Sequence, residues 1–474
     1  MLDAVVIGSG PNGLSAAITL ARAGREVVVY EAREVIGGGV KSAELTLPGF
    51  MHDVCSAVHP LAIASPFFQS LPLDQHGLEW IQPPAPVAHP IDDGPPVLLQ
   101  RSLETTAAAL GKDEKAWRKL FQLSLGVWPD LKRDLLGPLR FPSKPLAMAE
   151  FGLDAIRPAA TLARARFKTP QARALFAGIA AHSILPLTAA ASSAFGLVLA
   201  LAGQADGWPI PRGGSQAIAR ALAAHLESLG GRIVTSSPIS FLAQMPPSRV
   251  ILLDLTPRQI LRVAGERLTP AYRVKLEKYR YGPGVFKIDW ALKAPIPWKS
   301  PECATAATVH LGGSLEEMIA SEKACWEGAY AEKPYVLLTQ PSLFDPSRAP
   351  AGQHTAWAYC HVPNGSTHNC TEAIERQVER FAPGFRDVVL DRHVLDPQQL
   401  EAQNANLVGG DIGGGAVTLS QLFLRPTRQL YATSDPAIFI CSSSTPPGGG
   451  VHGMCGFHAA QAALKYLARA KKQA

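Results

Sequence analysis

Residues 3–31 read DAVVIGSGPNGLSAAITLARAGREVVVYE, and this stretch decides the fold. DAVVI is short, β-branched and without polar alternation, as a strand buried on both faces must be. Gly8-Ser9-Gly10-Pro11-Asn12-Gly13 follows as a GxGxxG turn. Leu14, Ile18 and Ala21 then share one face of a predicted helix, which Gly24 ends. REVVVYE (25–31) is a second strand that finishes on Glu31, eighteen residues after Gly13. Strand, glycine turn, helix, strand and acid in this order predict a dinucleotide-binding α/β unit. Gly8 permits the tight turn, Gly10 lets backbone approach a pyrophosphate, and Gly13 lets helix and strand pack closely. Pro11 and Asn12 open the helix, whose free N–H groups and partial positive charge suit phosphate. Glu31 can accept both hydroxyls of a ribose.

The chain continues with Ala32, Arg33, Glu34, Val35, Ile36, Gly37, Gly38, Gly39 and Val40. A nicotinamide site usually stops at the acid. A glycine pair a few residues later is the extension seen in flavoproteins of the amine oxidase and phytoene desaturase group, where side chains would collide with cofactor. Far along the chain, AIFICSSS (437–444) reads as a strand and PPGGGV (446–451) as a close-approach turn. A helix from about Gly453 carries Ala460, Leu464 and Leu467 on one face. Its N-terminus can stabilise negative charge on a reduced flavin. Two glycine turns from distant parts of the chain would thus grip opposite ends of one FAD.

The chain resembles the phytoene desaturase-like FAD-dependent oxidoreductases, in the bacterial branch similar to the animal pyridine nucleotide-disulfide oxidoreductase domain-containing protein 2. The resemblance rests on GSGPNGLSAA (8–17), HDVCSAVHPLAIASPFF (52–68), GWPIPRGGSQAIARAL (207–222), LLDLTPRQIL (252–261), YGPGVFKIDWALKAPIPW (281–298), TVHLGG (308–313) and TPPGGGVHGMCGFHAA (445–460). It implies an α/β architecture: a Rossmann-type FAD-binding domain interleaved with an α+β substrate domain. The cofactor residues it implies are Gly8, Gly10, Pro11, Asn12, Gly13, Glu31, Ala32, Arg33, Gly37, Gly38, Gly39, Val40, Ile239, Ser443, Gly450, Val451 and His452. Ser442 and Ser443 stand where relatives often carry Gly and Ala or Asp, and Pro446 where a His is common. No second GxGxxG and no CxxC appears, which disfavours disulfide-reductase chemistry.

The 474 residues are 47% hydrophobic and 18% charged, enough apolar material for more than one lobe. The net charge of +6 is thin over this length and no basic run with aromatics occurs, so nucleic acid is not an expected partner. The seven Cys are odd in number and scattered, which predicts neither a disulfide framework nor a metal site. No basic n-region precedes the first strand, so a cytoplasmic protein is expected, with peripheral membrane contact and a homo-oligomer left open. ILPLTAAASSAFGLVLALAG (184–203) lacks charge, but its Pro, Ser and Thr make it a poor membrane span.

The expected cofactor domain is discontinuous: residues 1–70, 206–257 and 406–474. Residues 71–205 and 258–405 are the expected substrate domain. In the former, Ser215 is the expected N-cap of a helix with Ile218, Leu222, Leu226 and Leu229 inward, and 230–242 and 248–257 are expected strands. In the latter, VFKIDWAL, ATVHLGG, PYVLLTQPS and HTAWAYCHV are expected antiparallel strands, half-buried where they alternate.

A flavin carries the hard redox chemistry, so the protein must place a substrate C–H, exclude water and handle a proton. Lys287 is the leading catalytic candidate, since the resemblance puts a Lys near flavin N5. In its strand Lys287 and Asp289 share one face, opposite Phe286, Ile288 and Trp290. A plain Lys287–Asp289 pair is the structural alternative. His452 is the second catalytic candidate, with helix capping as its alternative. His52 and Asp53 could line the flavin's other face, and His59, His182 and His310 are further histidines in apolar phrases. The reading is removal of a hydride equivalent (dehydrogenation or desaturation) from a small apolar, polyene- or acyl-like substrate, with oxygen or a quinone as electron acceptor. The alternatives are an amine oxidase-like enzyme using oxygen and a non-enzymatic FAD-binding partner protein.

Overall fold

The computed structural model describes residues 1–473. Strands β1 (Leu2–Ile7), β2 (Val27–Tyr30), β3 (Ala85–His89), β4 (Val97–Leu99), β5 (Arg232–Val234) and β6 (Ser248–Leu253) lie in the first part of the chain. Strands β7 (Gly284–Leu292), β8 (Ala306–Leu311), β9 (Val336–Thr339), β10 (His354–Val362), β11 (Val389–Leu395) and β12 (Ile438–Ile440) follow. They form a five-stranded sheet, order β12-β6-β1-β2-β5, and a seven-stranded sheet, order β11-β7-β10-β9-β8-β3-β4.

The first sheet is wholly parallel, with Val5 opposite Ile251 on one side and Val28 on the other. A parallel sheet needs both faces covered, because its strands cannot offer one to water. Helices α1 (Pro11–Arg22), α2 (Gln216–Ser228) and α3 (Met454–Gln473) cover one face. Leu14, Ile18, Ile218, Leu222, Val29, Leu252 and Ala460 meet there. Each large apolar side chain in such a core contributes roughly 1.5–3 kcal/mol. Gly456 permits the crossing of α3 over α1: a Cβ there would land on the Asn12 carbonyl oxygen. The other face packs Val5, Ile7, Ile251 and Ile440 against Ile260, Leu268 and Tyr272. Those last residues belong to 257–277, expected to open the substrate lobe after 257; here they complete the parallel sheet's cover.

The second sheet is antiparallel except for the β8–β3 pair. Its expected half-burial does not hold. β7 is buried at every residue, because Phe286, Ile288 and Trp290 pack into one core while Val285 faces another. The apolar stretch 184–203 supplies most of a buried helix, Ser192–Ala205, beside Pro170–Ala180. Among the described residues no helix is long and apolar enough to cross a membrane.

Local expectations differ in four places. Ser215 does not cap α2, because its hydroxyl donates to the Ser56 carbonyl at 2.6 Å and also meets His59 Nε2 at 2.8 Å. Leu229 is 37% exposed rather than inward, since α2 has already ended at Ser228. The expected strands 230–242 and 437–444 shrink to three residues each, as adjoining backbone turns to line a cavity.

Candidate active site

A cavity of about 740 Å³ lies where the two sheets meet. Gly8, Ser9, Gly10, Pro11, Asn12, Glu31, Ala32 and Arg33 line one end. Gly38, Gly39, Val40, Ile239, Ser443, Gly450 and Val451 also line it. Phe195, Leu199, Trp208, Leu337, Trp357 and Tyr359 line a largely apolar end. The two glycine turns, read separately in the sequence, border the same space. Lys287 is on this wall too.

The glycine turn is held from outside the motif. Glu31 Oε2 accepts the Ser9 N–H at 3.0 Å and the Ser9 hydroxyl at 2.5 Å, and Oε1 accepts the Arg33 N–H at 2.9 Å. Asp254, just beyond β6, accepts the Gly13 N–H at 3.0 Å. A Cβ on Gly10 would lie 2.7 Å from Asp254 Oδ2, and one on Gly38 would lie 3.1 Å from the Gly10 Cα. Bare Cα atoms therefore leave a cradle at a helix N-terminus, with an acid at the end of the next strand. These residues fit a dinucleotide.

Three expected cofactor residues are not on the cavity wall. Gly13 is under the turn, against the Gly8 carbonyl and Asp254. Gly37 packs toward Ala219 and donates its N–H to Ser9. His452 is buried, and its Nδ1 accepts the Met454 N–H at 3.0 Å, so it caps α3. Burial holds His452 neutral, with its pKa lowered to about 4. Ser442 also turns away, donating to the Leu255 carbonyl at 2.7 Å.

The polar roof is a network. Lys287 Nζ pairs with Asp289, whose other oxygen lies 3.7 Å from His52 Nδ1. His52 and Asp53 are absent from the cavity wall. His52 Nε2 meets Thr46 Oγ1 at 2.8 Å, and Asp53 pairs with buried Arg348 at 2.8 Å. His59 and His182 do line the cavity, and His310 lies behind His182, Nε2 to Nε2 2.9 Å. Burial lowers His59 to about 4 and His182 to about 3, so both are neutral at pH 7.

Two features escaped the sequence reading. Asp254 was one letter inside a strand phrase, with no spacing that marks it. The segment Asp411–Ala416 also borders the cavity, and its signal was visible: GGDIGGG at 409–415 is a third glycine cluster. It packs against the closing turn, where a Cβ on Gly449 would lie 3.0 Å from the Gly413 carbonyl oxygen.

A Rossmann sheet, an acid-anchored glycine turn, a second glycine turn and a roofed apolar cavity define a flavoenzyme, an FAD-dependent oxidoreductase. The family described as flavin containing amine oxidoreductase matches residues 12–264, and the chain belongs to it. Over 98% of its length the chain is 28% identical to pyridine nucleotide-disulfide oxidoreductase domain-containing protein 2 of Mus musculus, covering 94% of that protein. Over half of each chain it is 29% identical to the hydroxyneurosporene desaturase of Cereibacter sphaeroides. Its fold is similar to that of cyclohexylamine oxidase from Brevibacterium oxydans, with a TM-score of 0.62, 16% identity, and 99% and 100% of the two chains covered. Bound FAD supplies the electron sink; the chain's own residues bind, orient and shield.

Proposed function

We propose that this protein removes a hydride equivalent from a small apolar, polyene- or acyl-like substrate, by dehydrogenation or desaturation. The observation that carries the reading is the charge distribution along the cavity. Its carboxylates, Glu31, Asp254 and Asp411, border the glycine-rich segments, while Phe195, Leu199, Trp208 and Leu337 form the other end. A cationic amine would find no unpaired carboxylate at that end. Trp357 and Tyr359, neighbours on one strand face, stand edge to face at 5.1 Å and 82°. Two rings so placed leave no slot between them for an amine. Two relatives are named for limonene and hydroxyneurosporene, which accords with an apolar substrate.

In this reading Gly8, Gly10, Pro11, Asn12 and Glu31 hold the adenosine diphosphate half of FAD. Ala32, Arg33, Gly38, Gly39, Val40, Ile239, Ser443, Gly450 and Val451 flank the rest. Gly13, Gly37 and His452 shape the turns from behind. Residues 1–70, 206 to about 280 and 406–474 form the cofactor half, and the remainder the substrate half. Lys287 puts positive charge on the roof, where it aids transfer to the electron acceptor, oxygen or a quinone.

The second reading, an oxidase of simple amines, draws on Lys287 and on the amine oxidase fold. Anaerobic mixing with candidate donors separates them. Polyenes or acyl thioesters should bleach the oxidised flavin, and cyclohexylamine and putrescine should not. Bleaching by amines alone, with hydrogen peroxide formed on admitting air, would overturn the first reading.

A further inference from the structure

Asp254 follows the last residue of β6, the neighbour of β1, and is 9% exposed. Its Oδ2 accepts the Gly13 N–H at 3.0 Å. Cβ atoms on Gly10 and Gly13 would lie 2.7 Å and 3.1 Å from that oxygen, and one on Gly8 would lie 3.0 Å from the Asp254 Cβ. One residue therefore backs all three glycines of the motif, its carboxyl oxygen against Gly10 and Gly13 and its Cβ and main chain against Gly8. Its main chain is fixed as well: the Asn406 side chain donates to the Asp254 carbonyl at 2.9 Å and accepts the Thr256 N–H at 3.0 Å. That clasp keeps the Asp254 main chain, and so the base of its side chain, beside the turn.

The N-terminus of α1 thus already has an anion at its positive pole. A dinucleotide brings a diphosphate to the same pole. Two negative groups at one helix pole repel. Asp254 also borders the cavity. The ionisable groups acting on it do not relieve the conflict. Glu31, at the end of β2, is negative, and the thiols of Cys441 beyond β12 and Cys455 on α3 carry no positive charge.

We propose that Asp254 holds the bound dinucleotide as a neutral carboxylic acid, so that uptake of FAD by this protein is coupled to uptake of one proton. The inference rests on reading the glycine turn as the diphosphate site. Proton balance is simple: the carboxylate of the free protein takes H⁺ from solvent as FAD enters, and returns it when FAD leaves. Burial, with Glu31 nearby, already raises Asp254 to about 7, against the pull of the Gly13 and Gly10 amides. Below that pH the acid is already protonated and FAD binds without cost. As pH rises, the free protein loses the proton that the complex must regain, and affinity falls until the bound-state pKa is passed.

The test measures FAD dissociation constants of the full chain by flavin fluorescence from about pH 6 to about pH 9. Wild type should weaken by at least about tenfold across that range, one proton giving up to tenfold per pH unit. Asp254→Asn, which keeps shape and an acceptor oxygen but has no proton to exchange, should bind with a constant that changes less than about twofold. Should that variant not fold, calorimetric titration of wild type in two buffers of different ionisation heat counts the protons directly. Close to one proton taken up at about pH 8 supports the assignment, and none overturns it. A flat wild-type profile also overturns it, as does the same slope in Asp254→Asn. Glu31→Ala and Gly10→Val separate the place of the diphosphate from the role of Asp254. If both bind FAD as tightly as wild type, the turn is not the diphosphate site. If they bind weakly while the wild-type profile is flat, only the role of Asp254 falls.

Discussion

Lys287 Nζ is paired with the carboxylate of Asp289, two residues along the same face of β7, with side chains 2% and 0% exposed. Asp289 is fully buried and off the cavity wall, so its carboxylate is stranded if Lys287 is removed. Lys287→Met should therefore cost about 3–5 kcal/mol of stability through the stranded carboxylate. It should also slow reoxidation of the reduced flavin by oxygen at least about tenfold, roughly 1.4 kcal/mol of barrier. Asp289→Asn, which keeps the ammonium, should lose stability without that slowing. Stopped-flow reoxidation and urea unfolding of both variants check the pair. Equal reoxidation in Lys287→Met and wild type would leave Lys287 a structural residue.

Glu31 is a double hinge for the cofactor turn, since it fixes Ser9 and Arg33 before any ribose arrives. Glu31→Ala should raise the FAD dissociation constant by at least about tenfold, because charge-assisted hydrogen bonds of roughly 1.5–3 kcal/mol each are lost. FAD occupancy after repeated gel filtration reads the effect; full retention would remove Glu31 from the ribose site.

The flavin should leave with denaturation. Cys455, the thiol of the closing turn, is fully buried and off the cavity wall, and its Sγ donates to the Thr445 and Gly448 carbonyls at 3.4 Å each. Burial pushes its pKa up to about 11, so little nucleophilic thiolate exists at pH 7. Acid-precipitated protein should be colourless above a yellow supernatant. Colour in the pellet would mean a covalent link.

Acid should destabilise the protein above the range in which ordinary exposed carboxylates titrate. Burial holds His52, His59, His89, His452 and His458 at about 4. In the unfolded chain each takes a proton near ~6.5. Between those values the unfolded state binds more protons, so unfolding free energy drops as pH falls and is regained on return to neutrality. Melting temperature should decline steadily from about pH 6.5 to about pH 4.5. A flat profile would show that these imidazoles are wet and charged in the native state.

The cofactor half was legible because its physics is local. Gly8 to Glu31 fixes a turn, a helix start and an acid within one βαβ unit, and the apolar runs of β1 and β6 announce a sheet covered on both faces. The substrate half was less so. The polar alternation in VFKIDWAL looks like a solvent face, yet Lys287 and Asp289 satisfy each other inside the protein. Alternation puts the two on one face and allows the pair, but does not say whether that face meets water or a core. His452 shows the same limit from the other side: position in a glycine turn suggested contact with flavin, while one bond to Met454 turns the ring inward. Asp254 is decided by a neighbour more than two hundred residues away.

The parallel sheet is assembled from segments near 2–7, 27–30, 232–234, 248–253 and 438–440, with β1 at its centre. A ribosome therefore delivers the middle strand early and one edge strand only after some four hundred further residues. Until then β6 has an open flank, and α1 lacks the helix that crosses it. Such long-range closure is slow and exposes apolar edges to other nascent chains. Bound across both glycine turns as proposed, FAD would act as a late clamp on this assembly. Riboflavin starvation should then lower the yield of soluble protein as well as its colour.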